Sequence, residues 1–180
     1  MDENTASIVQ SRWSYQLADL VKRECSQGDV VILGVGHPLR GDDYAGSLIA
    51  KDLLRNPGSG GRVTVIDAEN SPESILRVLW NTKPRLVVIV DSMEAGLAPG
   101  SITLVDLDQT TYPYFSTHNI PMKVLFEAAP EIRRTVLLGI QPGSHEIGEP
   151  LSEDVKIARS TIVREIRTIV AEVRREHNIV

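Results

Sequence analysis

"DVVILGVGHPLRGDDYAGSLIAKDLL", residues 29–54, opens on a β-branched, continuously apolar run and closes on a helix-forming one, with a short polar loop between them. A strand covered on both faces reads as an unbroken apolar run, so "VVILGV" predicts an interior strand of a parallel sheet. "YAGSLIAKDLL" predicts a helix. The unit is strand, loop, helix, and the rest of the chain repeats it.

"RVTVIDA" (62–68) reads as a second strand. The helix "SPESILRVLWNT" (71–82) follows, with Ser71 as N-cap, Pro72 at the first helical position and Glu73 in the first turn. "RLVVIVDS" (85–92) is a third strand. Only about eight Gly- and Pro-rich residues separate it from "SITLVDL", fewer than the dozen or so that a parallel crossover needs. The fourth strand is therefore expected to be antiparallel and at an edge. The polar loop "DQTTYPYFSTHN" leads into a short helix from about Pro121, and "RTVLLGIQ" (134–141) is a fifth strand. A long last helix follows Leu151, with Val155, Ala158, Ile162, Ile166, Ile169 and Val173 along one face. Upstream, Val9, Trp13, Leu17, Leu20 and Val21 recur at helical spacing within residues 5–26, and Gly28 supplies a stop signal.

Strands alternating with helices specify an α/β fold: a three-layer α/β/α sandwich around a five-stranded, mostly parallel twisted sheet with one antiparallel edge strand. At 180 residues the chain suits a single domain, 1–180, with a helical extension at about 1–28.

Composition narrows the function classes. A net charge of −5 and a pI near 5.4 argue against a phosphate-binding surface, so nucleic acid is not an expected partner. The lone Cys25 excludes an internal disulfide and a cysteine-only metal cage, which fits a reducing, cytoplasmic location. No apolar run approaches the roughly 20 residues of a membrane span, and "MDENTASIVQSRW" has no apolar export-signal core.

In a sheet of this kind ligands collect beyond the carboxyl ends of the strands. Asp42 and Asp43 follow strand one, Asp67 strand two and Asp91 strand three, while His118 precedes the short helix at Pro121. "GVGHPLRG" invites a dinucleotide reading, but that fingerprint wants its third glycine three positions after the second, and Gly41 follows Gly36 by five. Asp42 and Asp43 would also meet a phosphate at the helix N-terminus with the wrong charge. One aspartate capping the helix near Tyr44 explains one carboxylate and leaves the other over. Asp42 is expected in the capping or supporting role, with Asp43 projecting into the crevice, where a spare carboxylate invites a cation.

Asp91 alone reads as readily as a turn former, and His118 alone as a histidine bonded to nearby backbone. Together, two carboxylates and an imidazole from three loops can converge as an O, O, N set that suits a borderline transition metal and leaves coordination positions open.

"GVGHPLRGDDYAG", "VIDAENSPE", "RLVVIVDSMEAGLAPGSI", "STHNIPMKVL" and "LLGIQP" resemble, in order and spacing, the [NiFe]-hydrogenase maturation endopeptidases, most of all the formate-hydrogenlyase (hydrogenase 3) type. The resemblance runs from about residue 29 to residue 170. It implies a phosphorylase/hydrolase-like sandwich and a cytoplasmic, monomeric protease that removes the C-terminal extension of a nickel-loaded hydrogenase large-subunit precursor. It assigns both the catalytic and the metal-ligating role to Asp43, Asp91 and His118. The nickel is supplied by the substrate, and no tightly bound cofactor of the protein's own is expected.

The chain departs from the family's pattern at His37, where asparagine is more usual, at Tyr44, where near relatives have glycine, and in its N-terminal extension. His37 is a candidate supporting partner. Trp13 and Leu17 are expected to cover sheet or helix surface, Cys25 to be inert packing, His145 to sit in solvent or at the crevice rim, and His177 to be a solvated tail residue. Two other readings stay open: a nucleotide-binding α/β domain in which Asp67 holds a ribose, and a zinc peptidase carrying its own metal.

Overall fold

A computed structural model describes residues 3–55, 62–69, 75–108 and 132–176. In chain order the elements are α1 (Glu3–Cys25), β1 (Val30–Val35), a 3-10 turn (Gly41–Tyr44), α2 (Ala45–Arg55), β2 (Val63–Glu69), α3 (Leu76–Thr82), β3 (Leu86–Ser92), β4 (Ile102–Asp106), β5 (Thr135–Ile140) and α4 (Glu153–Glu176). The capping residues expected at 71–73, the 109–131 segment with His118 and the helix near Pro121, and His177 lie outside the described residues.

The sheet has five strands in the order β2-β1-β3-β5-β4, and β4 runs antiparallel to β5 at the edge. The short 93–101 connection explains that edge, because it is too brief to carry a crossover helix. β1, β3 and β5 are buried along their whole length, as their continuous apolar sequences require. Alternate residues divide between two cores. Val30 and Ile32 of β1 with Val88 and Val90 of β3 face α1, α2 and α4, whereas Val31, Leu33, Val87 and Ile89 face Ile75 and Leu79 beside and within α3.

The predicted stripe of α4 is buried, with Val155, Ile162, Ile166 and Val173 at 0–1 % exposure. Each such side chain contributes about 1.5–3 kcal/mol of transfer free energy. Trp13, Leu17, Leu20, Val21 and Cys25 of α1 enter the same core, so the extension is part of the packing and covers sheet and helix surface. Lys22 pairs with Glu172 at 2.8 Å and Glu176 at 3.2 Å, linking α1 to α4 across an exposed seam.

β1 sits between β2 and β3, so the chain leaves it first toward one edge through α2 and then crosses back to the other side through α3. Ligands in open α/β sheets bind beyond the carboxyl ends of the strands at such a reversal, which here falls between β1 and β3.

Candidate functional site

The glycines after β1 serve close packing. A Cβ on Gly36 would stand 2.2 Å from the Asp43 carbonyl oxygen, and one on Gly46 would stand 2.1 Å from the Val90 carbonyl and 2.3 Å from the Val35 carbonyl. The double-aspartate loop can fold back over β1, and α2 can seat its first turn on β1 and β3, only because neither position carries a side chain. This accounts for the spacing that fails as a phosphate loop.

Asp42 is 1 % exposed and accepts four hydrogen bonds. Its Oδ2 takes the Gly143 N–H at 2.7 Å, the Ser144 N–H at 3.1 Å and the Ser152 hydroxyl at 2.9 Å, while Oδ1 takes the Ser152 N–H at 2.6 Å. The sequence expectation of a cap on the helix near Tyr44 is corrected here, since Arg40 precedes the 3-10 turn and no side chain caps it. Asp42 instead binds the loop after β5 and the residue just before α4. The donors compensate the burial of its charge.

Asp43, also 1 % exposed, receives the His37 N–H on Oδ2 at 3.2 Å and the Ser92 hydroxyl on Oδ1 at 2.8 Å. Asp91, at the end of β3 and 1 % exposed, receives the Ser92 N–H on Oδ1 at 2.8 Å. One serine thus binds both carboxylates. Of the three sequence-predicted ligands, Asp43 and Asp91 are linked through Ser92, and His118 lies outside the described residues. His37 supports Asp43 through its backbone, while its ring Nδ1 accepts the Leu39 N–H at 3.1 Å.

Ser92 escaped the sequence reading, although a hydroxyl directly after a strand-end aspartate was the available signal. So did the partner of His145, whose Nε2 lies 2.6 Å from Glu94 Oε1 with the ring about one-third exposed. The other Glu94 oxygen accepts Gln141 Nε2 at 2.9 Å, and Gln141 Oε1 takes the Ala95 and Leu97 N–H groups at 2.8 and 3.2 Å. The loops after β3 and β5 are thereby fastened to each other. The bond from Gln141, and secondly that from His145, holds the Glu94 carboxyl below the usual carboxylate range.

Asp67 is engaged elsewhere. Its Oδ1 accepts the Ser47 hydroxyl at 2.7 Å and its Oδ2 lies 3.3 Å from Lys51 Nζ. Lys51 also donates to the Tyr44 hydroxyl at 2.7 Å and to Glu69 at 3.0 Å. The bond to Tyr44, ahead of that to Glu69, raises the Lys51 ammonium above its ordinary value. The carboxylate that a ribose would need is already bound to a serine and a lysine, which removes the main support of the nucleotide reading.

The family model described as "Hydrogenase maturation protease" matches residues 47–169. Hydrogenase 3 maturation protease of Escherichia coli (strain K12) is 33% identical over 138 residues, covering 76% of this chain and 87% of that protein. The chain belongs to the hydrogenase maturation protease family.

Solved structures agree. A crystal structure of a hydrogenase 3 maturation protease superposes with a TM-score of 0.66 at 32% identity, covering 77% of this chain and 89% of that one. The [NiFe] hydrogenase maturation protease HycI from Thermococcus kodakarensis KOD1 superposes at 0.74 with 29% identity, covering 84% and 98%. As a member of this family the chain is a peptidase with an α/β fold around a mixed five-stranded sheet. Among the described residues no helix is long and apolar enough to cross a membrane.

Proposed function

We propose that this peptidase removes the C-terminal extension of a [NiFe]-hydrogenase large-subunit precursor after nickel has been inserted, and that it recognises the nickel itself. The observation that carries the reading is the convergence of Asp43 and Asp91 on Ser92 at the switch point of the sheet. Two carboxylates held this way offer oxygen donors to a cation, and an imidazole, the role the family resemblance gives to His118, would make the set one that suits a borderline metal. Because that set leaves positions open, it fits a nickel ion that the precursor already holds. Only loaded precursor then docks productively, and recognition acts as a check on metal insertion.

Cleavage proceeds by attack of water on the scissile carbonyl. A carboxylate of the pair takes the proton from the water, and the leaving amine takes up a proton as the peptide bond breaks. The near-complete burial of Asp43 and Asp91 concentrates their charge where bulk water screens it little.

The test is incubation of the protein with purified nickel-loaded and nickel-free precursor, followed by mass spectrometry. Release of the extension from the loaded form alone is expected. Equal cleavage of both forms would remove nickel recognition, and cleavage of neither would remove the substrate assignment.

A further inference from the structure

Ser92 donates its hydroxyl to Asp43 and its N–H to Asp91, each at 2.8 Å, and is itself 2 % exposed. We infer that Ser92 is a positioning residue, fixing the spacing and orientation of the two carboxylates so that they meet a metal-bearing substrate as one preformed unit. The inference rests on the proposed nickel-recognising function and adds to it a residue with no ligand role of its own.

The backbone at Ser92 is well placed for this. The residue pairs with Ile140 in the register of β3 and β5, and the next N–H, that of Met93, donates to the Ile140 carbonyl at 2.9 Å. The hydroxyl therefore projects from a stretch of chain held by its neighbouring strand. Ser92 continues the alternation of Val88 and Val90 along β3, toward the face where α2 packs. Asp43 enters with the turn that begins α2, so the serine hydroxyl meets it on that face while the serine N–H meets the Asp91 carboxylate. A hydroxyl has a single proton to give, and here it is directed at Asp43 Oδ1.

Alanine at this position keeps the N–H bond to Asp91 and deletes the hydroxyl bond to Asp43, so it loosens one carboxylate and not the other. Groups that orient metal ligands by hydrogen bonding typically change metal affinity or activity about 10–100-fold when removed. Threonine retains the donor on a β-branched side chain that a strand accepts.

The experiment compares wild type, Ser92→Ala and Ser92→Thr for binding to purified nickel-loaded and nickel-free precursor by calorimetry, with thermal melts to check folding. Ser92→Ala is expected to weaken the loaded complex roughly 10–100-fold and leave the nickel-free complex unchanged, with recovery in Ser92→Thr. An equal loss toward both precursors, or no loss toward the loaded one, overturns the positioning role. Should wild type itself show no preference for loaded precursor, the functional reading fails separately. Ser92 is then judged by titrating the protein with Ni2+ alone and following the Asp43 and Asp91 signals by NMR, where identical responses in wild type and Ser92→Ala overturn the inference.

Discussion

Asp42 and Ser152 stand 110 positions apart in the chain and are joined twice, the Ser152 N–H meeting one carboxylate oxygen at 2.6 Å and the Ser152 hydroxyl meeting the other at 2.9 Å. With the bonds from Gly143 and Ser144, this carboxylate ties the loop after β1 to the loop after β5 and to the start of α4. The two adjacent aspartates thus face different partners: Asp42 holds loops together beneath the site, and Asp43 looks toward β3.

Asp42→Ala is expected to destabilise the fold by about 3 kcal/mol, since it strands buried backbone donors whose unpaired burial costs about 1–3 kcal/mol each and water recovers only part of that. Urea unfolding of the variant against wild type measures it. A loss under about 1 kcal/mol would show that water replaces the carboxylate without difficulty.

Cys25 is fully buried at the end of α1, and burial pushes its thiol up to about 11. At pH 7–8 it is a neutral thiol, and the thiolate that reacts is scarce. Iodoacetamide is expected to leave the folded protein unmodified and fully active, and to label Cys25 only after denaturation, as read by intact mass. Rapid labelling with loss of cleavage would give the residue a role that its packing does not suggest.

The Glu94 carboxyl lies below its ordinary value because Gln141 and His145 bind it. A group whose folded value is depressed contributes stability above its unfolded value of about 4.3, and that contribution is lost as pH falls through the folded value. Glu94→Gln is therefore expected to lower the melting temperature near neutral pH, with the difference from wild type closing below about pH 4. Melts across a pH series decide it, and a gap of constant size at every pH would mean that charge is not the cause.

Much of the architecture was legible because it depends on local pattern. The unbroken apolar run of β1 announces burial on both faces, the brief 93–101 connection forces an antiparallel edge, and the spacing from Val155 to Val173 marks the buried face of α4. Asp43 and Asp91 could be picked out by their place beyond the ends of strands. The partners of Asp42 could not, because they lie 101–110 residues away and three of its four bonds come from backbone N–H groups of Gly143, Ser144 and Ser152 that leave no trace in residue type. The same reason hides the fastening of Gln141 to Ala95 and Leu97 and the pairing of Glu94 with His145. Local periodicity specifies which face of an element is covered, and long-range polar contacts depend on how loops meet once the sheet has formed.

Ownership of the metal is the last expectation. Asp43 and Asp91 are each already oriented by the protein's own donors, His37 and Ser92, so their geometry does not depend on an ion to assemble it. A resident structural zinc is normally closed by four ligands, and a catalytic one by three plus water. If nickel arrives with the precursor, chelation with EDTA followed by dialysis should leave the protein free of stoichiometric metal and fully able to cleave loaded precursor. Asp43→Asn and Asp91→Asn, and His118→Ala with them, should each lower cleavage by about 10²-fold or more without altering the melting curve beyond a few degrees. Elemental analysis of the dialysed protein alongside the cleavage assay separates the cases. Stoichiometric zinc in active protein, with activity lost when that zinc is stripped, would make this a zinc peptidase and transfer the metal from the substrate to the enzyme.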